Sequence, residues 1–430
     1  MRRSISMLAG AAALSLALTA CGGGDTSSSA EDAKASEATG EVGVFTWWAD
    51  GSEKVGLEAL VDIFNDQYPD LKFKNLAVAG GAGSQAKAVL AAQLQAGNPP
   101  DSFQAHAGAE LQDYISADQL EDLSSFYEEQ DLASVFPSDL LERLTVDGKV
   151  YSVPSNIHRA NVVWANVDVL EEAGLDPQSP PKDLDAWFAA MDKIKATGVT
   201  PLAVAGTWTQ VQLFENILLS TLGPEGYSGL WNGSTDWSSP EVTEGIENYK
   251  KALTYTNTDR NTLSDWGPAT QLVEDGAAAY NVMGDWAQAK FQQDGLKAGE
   301  DYVYFPTPGT AGVFDFLADS FTLPTGANNP AGSKAWLQTI SSVEGQEAFN
   351  AAKGSIPART DVPTDKFSEY QKSAIKDFTS DTIVSSLAHG AAVPISWLNE
   401  LSTAVSKFEG TGDVDALQQS AASIAEKFSQ

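Results

Sequence analysis

EVGVFTWWADGSEKVGLEALVDIFNDQYPDLKFKNLAVAGGAGSQAKAVLAAQLQAGNPPDSFQAHAG, residues 41–108, reads as three strands separated by two helices. Glu41 to Trp48 carries the apolar run of a buried strand. Leu57, Leu60, Val61 and Phe64 then recur at the spacing of one helical face, and Tyr68-Pro69-Asp70 stops that helix. Leu71 to Val78 predicts a second strand leading into Gly80-Gly81-Ala82-Gly83. Ser84 is placed to cap a helix running through Leu94 and ending at Gly97, and Asn98-Pro99-Pro100-Asp101 turns the chain into a third strand near Ser102 to Gln104. Strand, helix, strand, helix, strand is the pattern of an α/β fold with a parallel sheet.

Such sheets bind ligands beyond the carboxyl ends of their strands. Here those ends are Trp47-Trp48, the glycine loop, and Gln104-Ala105-His106-Ala107-Gly108. Aromatic, flexible and polar groups therefore converge on one edge, which marks a cleft.

Farther along, Gly148 to Pro154 is extended and continues into Asn156-Ile157-His158-Arg159. Helices from about Asp183 to Thr197 and Gln210 to Leu222, with Pro201 to Val204 between them, begin a second α/β unit. Further helices are expected at Pro240 to Thr254 and Ala269 to Asp275. Phe305 to Thr310 and Asp319 to Pro324 suggest another crossing, and the C-terminal third is helical with Trp336, Ile340, Val343 and Phe349 buried. The pattern predicts two discontinuous lobes joined by a hinge. The expected division is 41–152 plus about 311–356 for one lobe and 153–310 plus about 357–430 for the other.

The N-terminus precedes this fold. Arg2-Arg3, an apolar stretch from Met7 to Leu18, and small residues before Cys21 form a secretory signal over residues 1–20. Leu18-Thr19-Ala20-Cys21 matches the lipobox, whose cysteine is lipidated. Cys21 is the only cysteine, so no disulfide forms within the chain. Residues 21–40 are rich in Gly, Ser, Ala and acidic residues without large apolar side chains, the composition of a flexible tether. No later run reaches the ~18 apolar residues of a membrane span. The expected location is outside the cytoplasm, held to the membrane by lipid alone.

The remaining ~390 residues are enough for two domains. Net charge is −32, with 58 acidic against 26 basic residues and no basic cluster. Nucleic acid and anionic lipid headgroups are thereby poor candidate partners. The histidines, His106, His158 and His389, share no metal-ligand spacing, so no metal site and no cofactor is expected. Eleven tryptophans are more than such a core requires. Trp187 and Trp336 lie on helical stripes and belong to the core. Trp47-Trp48, Trp208, Trp266 and Trp286 instead stand in polar, loop-like stretches, as aromatic platforms for the C–H faces of a sugar do.

The chain resembles the glucose-binding proteins of bacterial ABC sugar importers, within the class of extracellular solute-binding proteins. The resemblance is carried, in order, by Phe45-Thr46-Trp47-Trp48, Gly80 to Gly83, Phe103 to Gly108, Val153 to Arg159, Trp208-Thr209-Gln210, Leu230 to Gly233, Met283 to Ala287, Asp319-Ser320-Phe321, Lys353 to Ile356 and Ser386 to Gly390. It implies a two-lobed periplasmic-binding-protein fold of the type II kind. It further implies that Trp48 and Trp266 pack on sugar faces, that His106 and His389 reach hydroxyls, and that Asp319 accepts from hydroxyls while Lys353 donates. Glu53, Gln104, Asp285 and Trp286 join this set, and Trp47, Asn156, His158, Arg159 and Trp208 stand as contacts or supports behind it. The implied ligand is a glucose-like monosaccharide or an oligosaccharide, and the implied partners are permease subunits, with the protein a monomer.

A glycoside hydrolase would share such tryptophans and carboxylates, but it needs two opposed carboxyls about 5 to 9 Å apart across the scissile bond. Asp285 and Asp319 are the candidates for that role. A sugar sensor or adhesin would share the pocket itself. The resemblance is to a binding protein and implies no catalysis.

Overall fold

The computed structural model describes residues 33–79, 83–263 and 265–428. The predicted signal segment, Cys21, the first part of the predicted tether and Gly80-Gly81-Ala82 lie outside the described residues. The tether prediction runs too far: Ala35–Glu37 is a turn of 3-10 helix, with Ala33 and Ala35 buried against the body. Small alanines at these positions fill space that a flexible linker would leave empty.

Strand Gly40–Phe45 pairs in parallel with Leu71–Asn75 on one side and Ser102–His106 on the other. Asp319–Thr322 then joins antiparallel to Ser102–His106, and Ser152–Pro154 completes a five-stranded sheet. The first two strands, as regular ladder, are shorter than the apolar runs suggest, although the Leu76 N–H still donates to the Val44 carbonyl at 3.0 Å and the Val78 N–H to the Thr46 carbonyl at 2.9 Å toward the cleft edge.

A four-stranded sheet is ordered Tyr302–Pro306, Val162–Asn166, Ala278–Val282, Thr200–Ala203, the last two parallel. Helix Leu184–Thr197 shows why the sequence yields these elements. Asp183 caps it by accepting from the Ala186 N–H at 2.8 Å, Leu184, Trp187, Phe188, Met191 and Ile194 are buried on one stripe, and Gly198 at φ 91° ends it. The helix expected over 210–222 starts earlier, at Thr207, and continues to Asn232 across a break at Gly223, with Pro224 opening the second half. Trp187, Trp336, Ile340 and Phe349 are buried as expected, whereas Val343 is half-buried.

A small third sheet, Thr382–Ser385, Val313–Leu317 and His158–Arg159, lies between these units. Only Ala318 separates Val313–Leu317 from Asp319–Thr322, and only residues 155–157 separate Ser152–Pro154 from His158–Arg159. Two antiparallel chain segments thus pass from one sheet into the next side by side. This double crossing carries Asn156, His158, Leu317 and Asp319 to the junction. Among the described residues no helix is long and apolar enough to cross a membrane, and no group of His, Cys, Asp and Glu is arranged to hold a metal.

Candidate ligand-binding site

The carboxyl ends of the parallel strands in both sheets, and the amino end of antiparallel Asp319–Thr322, meet at one chamber. It holds about 410 Å³ of unfilled space and is lined by Trp47, Glu53, His106, Trp208, Trp266, Trp286, Asp319, Lys353 and His389, among others. Trp208 and Trp286 stand in the first turns of helices that follow Thr200–Ala203 and Ala278–Val282, and Trp266 opens helix Trp266–Glu274. Helix starts at strand ends are where such sheets present their ligand groups.

Two glycines let the tryptophans lie where they do. A Cβ on Gly83, at φ 82°, would stand 2.7 Å from the Trp47 ring, and one on Gly284 would stand 2.1 Å from Trp286. Backbone without side chains is the space these indoles occupy.

The pair Trp47-Trp48 divides its labour in the opposite sense to that expected. Trp47 faces the chamber, against His106 at 5.1 Å between ring centroids, with the Lys87 ammonium over it at 5.2 Å. Trp48 turns into the core between Phe321 and Phe349 and is fully buried. Successive residues of extended chain point to opposite sides, and the packing of Phe349 selects Trp48 for the core. Its ring still bears on the site, because the Lys353 ammonium lies 5.8 Å from it and 5.7 Å from Trp286.

Asp319 is the electrostatic centre. Gln104 Nε2 donates to Oδ1 at 2.9 Å, Asn156 Nδ2 donates to Oδ2 at 2.9 Å, and His158 Nε2 stands 3.4 Å from Oδ2. Burial pushes its pKa up, but the His158 hydrogen bond and the charges of His158, His106 and Lys353 outweigh it and hold the carboxyl well below its ordinary value. Asp319 is therefore an anion with lone pairs left for hydroxyl donors. Burial acts against charge on His158, yet the Asp285 carboxylate beside Nδ1 and the bond to Asp319 raise its pKa.

Gln104 and Asp285 lie behind the wall. Gln104 Oε1 accepts from Thr46 Oγ1 and from the Trp47 N–H at 3.2 Å, which fixes the loop that carries Trp47. Asp285 is fully buried, and besides His158 it accepts from the Arg159 N–H at 3.1 Å. Asp285 and Asp319 thus hold one imidazole between them and do not face each other across a ligand space, so the hydrolase geometry is not formed. Asn156 also stands behind Asp319. The Arg159 guanidinium points away from the chamber, donating to Asp377 at 2.9 Å and to the Val313 carbonyl at 2.7 Å.

His106 Nδ1 lies 2.7 Å from Glu110 Oε2, which also accepts from Lys87 at 2.8 Å. Burial would raise the Glu110 carboxyl, but Lys87 and His106 lower it to about 2. Glu53, half-buried at the mouth, accepts from Lys353 at 2.9 Å, and burial raises its pKa in spite of that ammonium. His389 packs edge-on to Trp208 and Trp286 at 5.9 and 5.4 Å.

Sequence reasoning missed Asp265 and Leu317 in the wall. Asp265 Oδ1 accepts from both the Trp266 N–H and Trp208 Nε1 at 2.9 Å, so one carboxylate sets two of the tryptophans. Its position just before a helix is a capping signal, but its reach to Trp208, 57 residues earlier, is tertiary.

A family model described as bacterial extracellular solute-binding protein matches residues 27–347. The chain belongs to that family. It is 37% identical over 413 residues, 95% of this chain and 92% of the relative, to an uncharacterized ABC transporter extracellular-binding protein of Pyrococcus horikoshii. It is 33% identical over 377 residues, 86% of this chain and 88% of the relative, to a probable sugar-binding periplasmic protein of Mesorhizobium japonicum. Among solved structures, a chitin oligosaccharide binding protein superposes with a TM-score of 0.79 at 22% identity, covering 90% of this chain and 98% of that one, which shows a shared two-lobed fold. Solute-binding proteins are not enzymes, and the separation of roles between Asp285 and Asp319 accords with that.

Proposed function

We propose that this solute-binding protein captures a sugar for an ABC importer, holding a glucose-like monosaccharide in the chamber between its lobes and passing it to the permease. The observation that carries the reading is the composition of that wall. Four indoles, Trp47, Trp208, Trp266 and Trp286, surround Asp319, Lys353, Glu53 and the three histidines within about 410 Å³. Flat apolar faces with acceptors and donors between them suit a ring whose faces are C–H and whose edge is hydroxyl. The relative described as a probable sugar-binding periplasmic protein supports the same class.

The lobe division expected from sequence, 41–152 plus about 311–356 against 153–310 plus about 357–430, is retained as part of this proposal. The double crossing at residues 152–159 and 313–322 supports it as the hinge. The protein acts as a monomer, tethered through lipid on Cys21. Replacing Cys21 by Ala releases it from membranes with sugar affinity unchanged, and a variant retained as fully as the parent refutes the anchor.

An oligosaccharide is the second reading. A larger cavity of about 1190 Å³ adjoins the chamber and shares Trp47, Glu53, Asp265 and Trp266 with it. A second ring could extend there past the two indoles. Titration of tryptophan fluorescence with monosaccharides and their disaccharides separates the two. Saturable quenching by a monosaccharide supports the first reading, response to disaccharides alone supports the second, and response to neither overturns both.

A further inference from the structure

His389 presents a buried Nε2 that has no hydrogen-bond partner among the described residues, and it does so in the chamber wall. Its other nitrogen, Nδ1, lies 2.8 Å from Ser386 Oγ. Ser386 Oγ is in turn 3.0 Å from each carboxylate oxygen of Glu215. Glu215 Oε2 also accepts from the Ala388 N–H at 2.8 Å and from Tyr227 O–H at 3.1 Å. Beside Glu215 stands Asp315, on the hinge strand Val313–Leu317. Asp315 is fully buried, and neither of its carboxylate oxygens meets an N–H or O–H donor among the described residues.

Two buried carboxyls side by side do not both ionise. Glu215 has three donors and Asp315 has none, so the charge belongs on Glu215 and the proton on Asp315. Burial and the neighbouring carboxyl raise Asp315 well above its ordinary value, and burial raises Glu215 as well. The charged group facing the pair is Arg159, from the His158–Arg159 strand. Around His389 stand His106, Lys87, His158 and Asp319. Burial first, then the cations among them, lower its pKa well below the ordinary value, so its imidazole is neutral.

We propose that Glu215 and Asp315 share one proton and act through Ser386 as positioning residues that fix the tautomer of His389. Ser386 has a single hydroxyl proton. With Glu215 ionised, that proton goes to the carboxylate, so His389 Nδ1–H must donate to Ser386 Oγ and Nε2 is left as an acceptor aimed at the ligand. When Glu215 takes a proton of its own, Ser386 turns its hydroxyl to Nδ1, and Nε2 becomes the protonated nitrogen and a donor. The pair thus selects whether the hydroxyl facing His389 must donate or accept. The inference rests on reading the chamber as a hydroxyl-binding site, but the state of His389 is measurable without any sugar.

Nitrogen NMR on ¹⁵N-histidine-labelled, sugar-free protein is the test, with His389→Asn assigning its resonances. At pH 8 the expected result is a protonated, pyrrole-type Nδ1 and a bare, pyridine-type Nε2. Acidification toward pH 5 exchanges the two types. Asp315→Asn supplies Glu215 with an amide donor and moves that exchange to lower pH, while Glu215→Gln removes the anion and gives the exchanged pattern already at pH 8. A protonated Nε2 in the parent at pH 8, or an exchange whose pH Asp315→Asn leaves unchanged, overturns the proposal even if Glu215→Gln fails to fold. Loss of sugar binding with the expected tautomer would instead count against the sugar reading.

Discussion

Lys353 Nζ stands 2.9 Å from Glu53 Oε1, which ties the last residue of helix Val343–Lys353 to the first turn of helix Gly51–Gln67. The pair fixes an ammonium between the rings of Trp48 and Trp286 at the chamber wall. Lys353→Met keeps the stem and removes the charge, leaving the Glu53 carboxyl without its cation. A charged hydrogen bond to a sugar hydroxyl contributes about 1.5 to 3 kcal/mol. Calorimetry should show affinity lower by about tenfold or more, and parent-like binding would remove Lys353 from the site.

Trp47 and Trp48 should separate affinity from stability. Trp47→Ala deletes a wall of the chamber and is expected to cost about 2 kcal/mol of binding, roughly 30-fold. Trp48→Phe loses core packing but no hydrogen bond, because the buried Trp48 Nε1 has no partner among the described residues. It should lower stability by about 1 to 2 kcal/mol and leave affinity within about threefold. The reverse result in calorimetry and thermal unfolding would return Trp48 to the ligand.

Asp319 couples binding to acid stability. Its folded pKa lies below the unfolded value of about 3.9, so its contribution to stability is present above that pH and is lost as pH falls through the folded value. Asp319→Asn should lose at least tenfold in affinity. In urea unfolding from pH 6 to 3 its stability should fall less steeply than that of the parent, and parallel curves would contradict the depressed carboxyl.

Asp315 works in the opposite sense. Its folded pKa is raised, so its contribution is full below the unfolded value of about 3.9 and is lost as pH rises through the folded value. Asparagine cannot ionise and avoids that loss. The melting temperature of Asp315→Asn relative to the parent should therefore be higher at pH 8 than at pH 5. A difference independent of pH would mean that the pair does not hold a proton.

Residues 41–108 determined the α/β class and the edge on which a cleft would lie, because helix and strand periods are local and the carboxyl ends of parallel strands share one side. The resemblance, spread in order along the chain, brought forward the tryptophans, the histidines, Asp319 and Lys353 as candidates. Choices of side remained for the tertiary structure. Trp47 and Trp48 are adjacent and chemically identical, and only the position of Phe349, about 300 residues away, decides which enters the core. Gln104 and Asp285 have the chemistry of ligand groups, yet Thr46, the Trp47 amide and His158 occupy them first. Asp265 reaches Trp208, and Glu215 meets Asp315 and Ser386, across separations that no spacing rule encodes. Local pattern sets what each segment becomes, but which polar group is left unpaired at the ligand depends on partners supplied by distant strands, and only the folded chain assigns those partners.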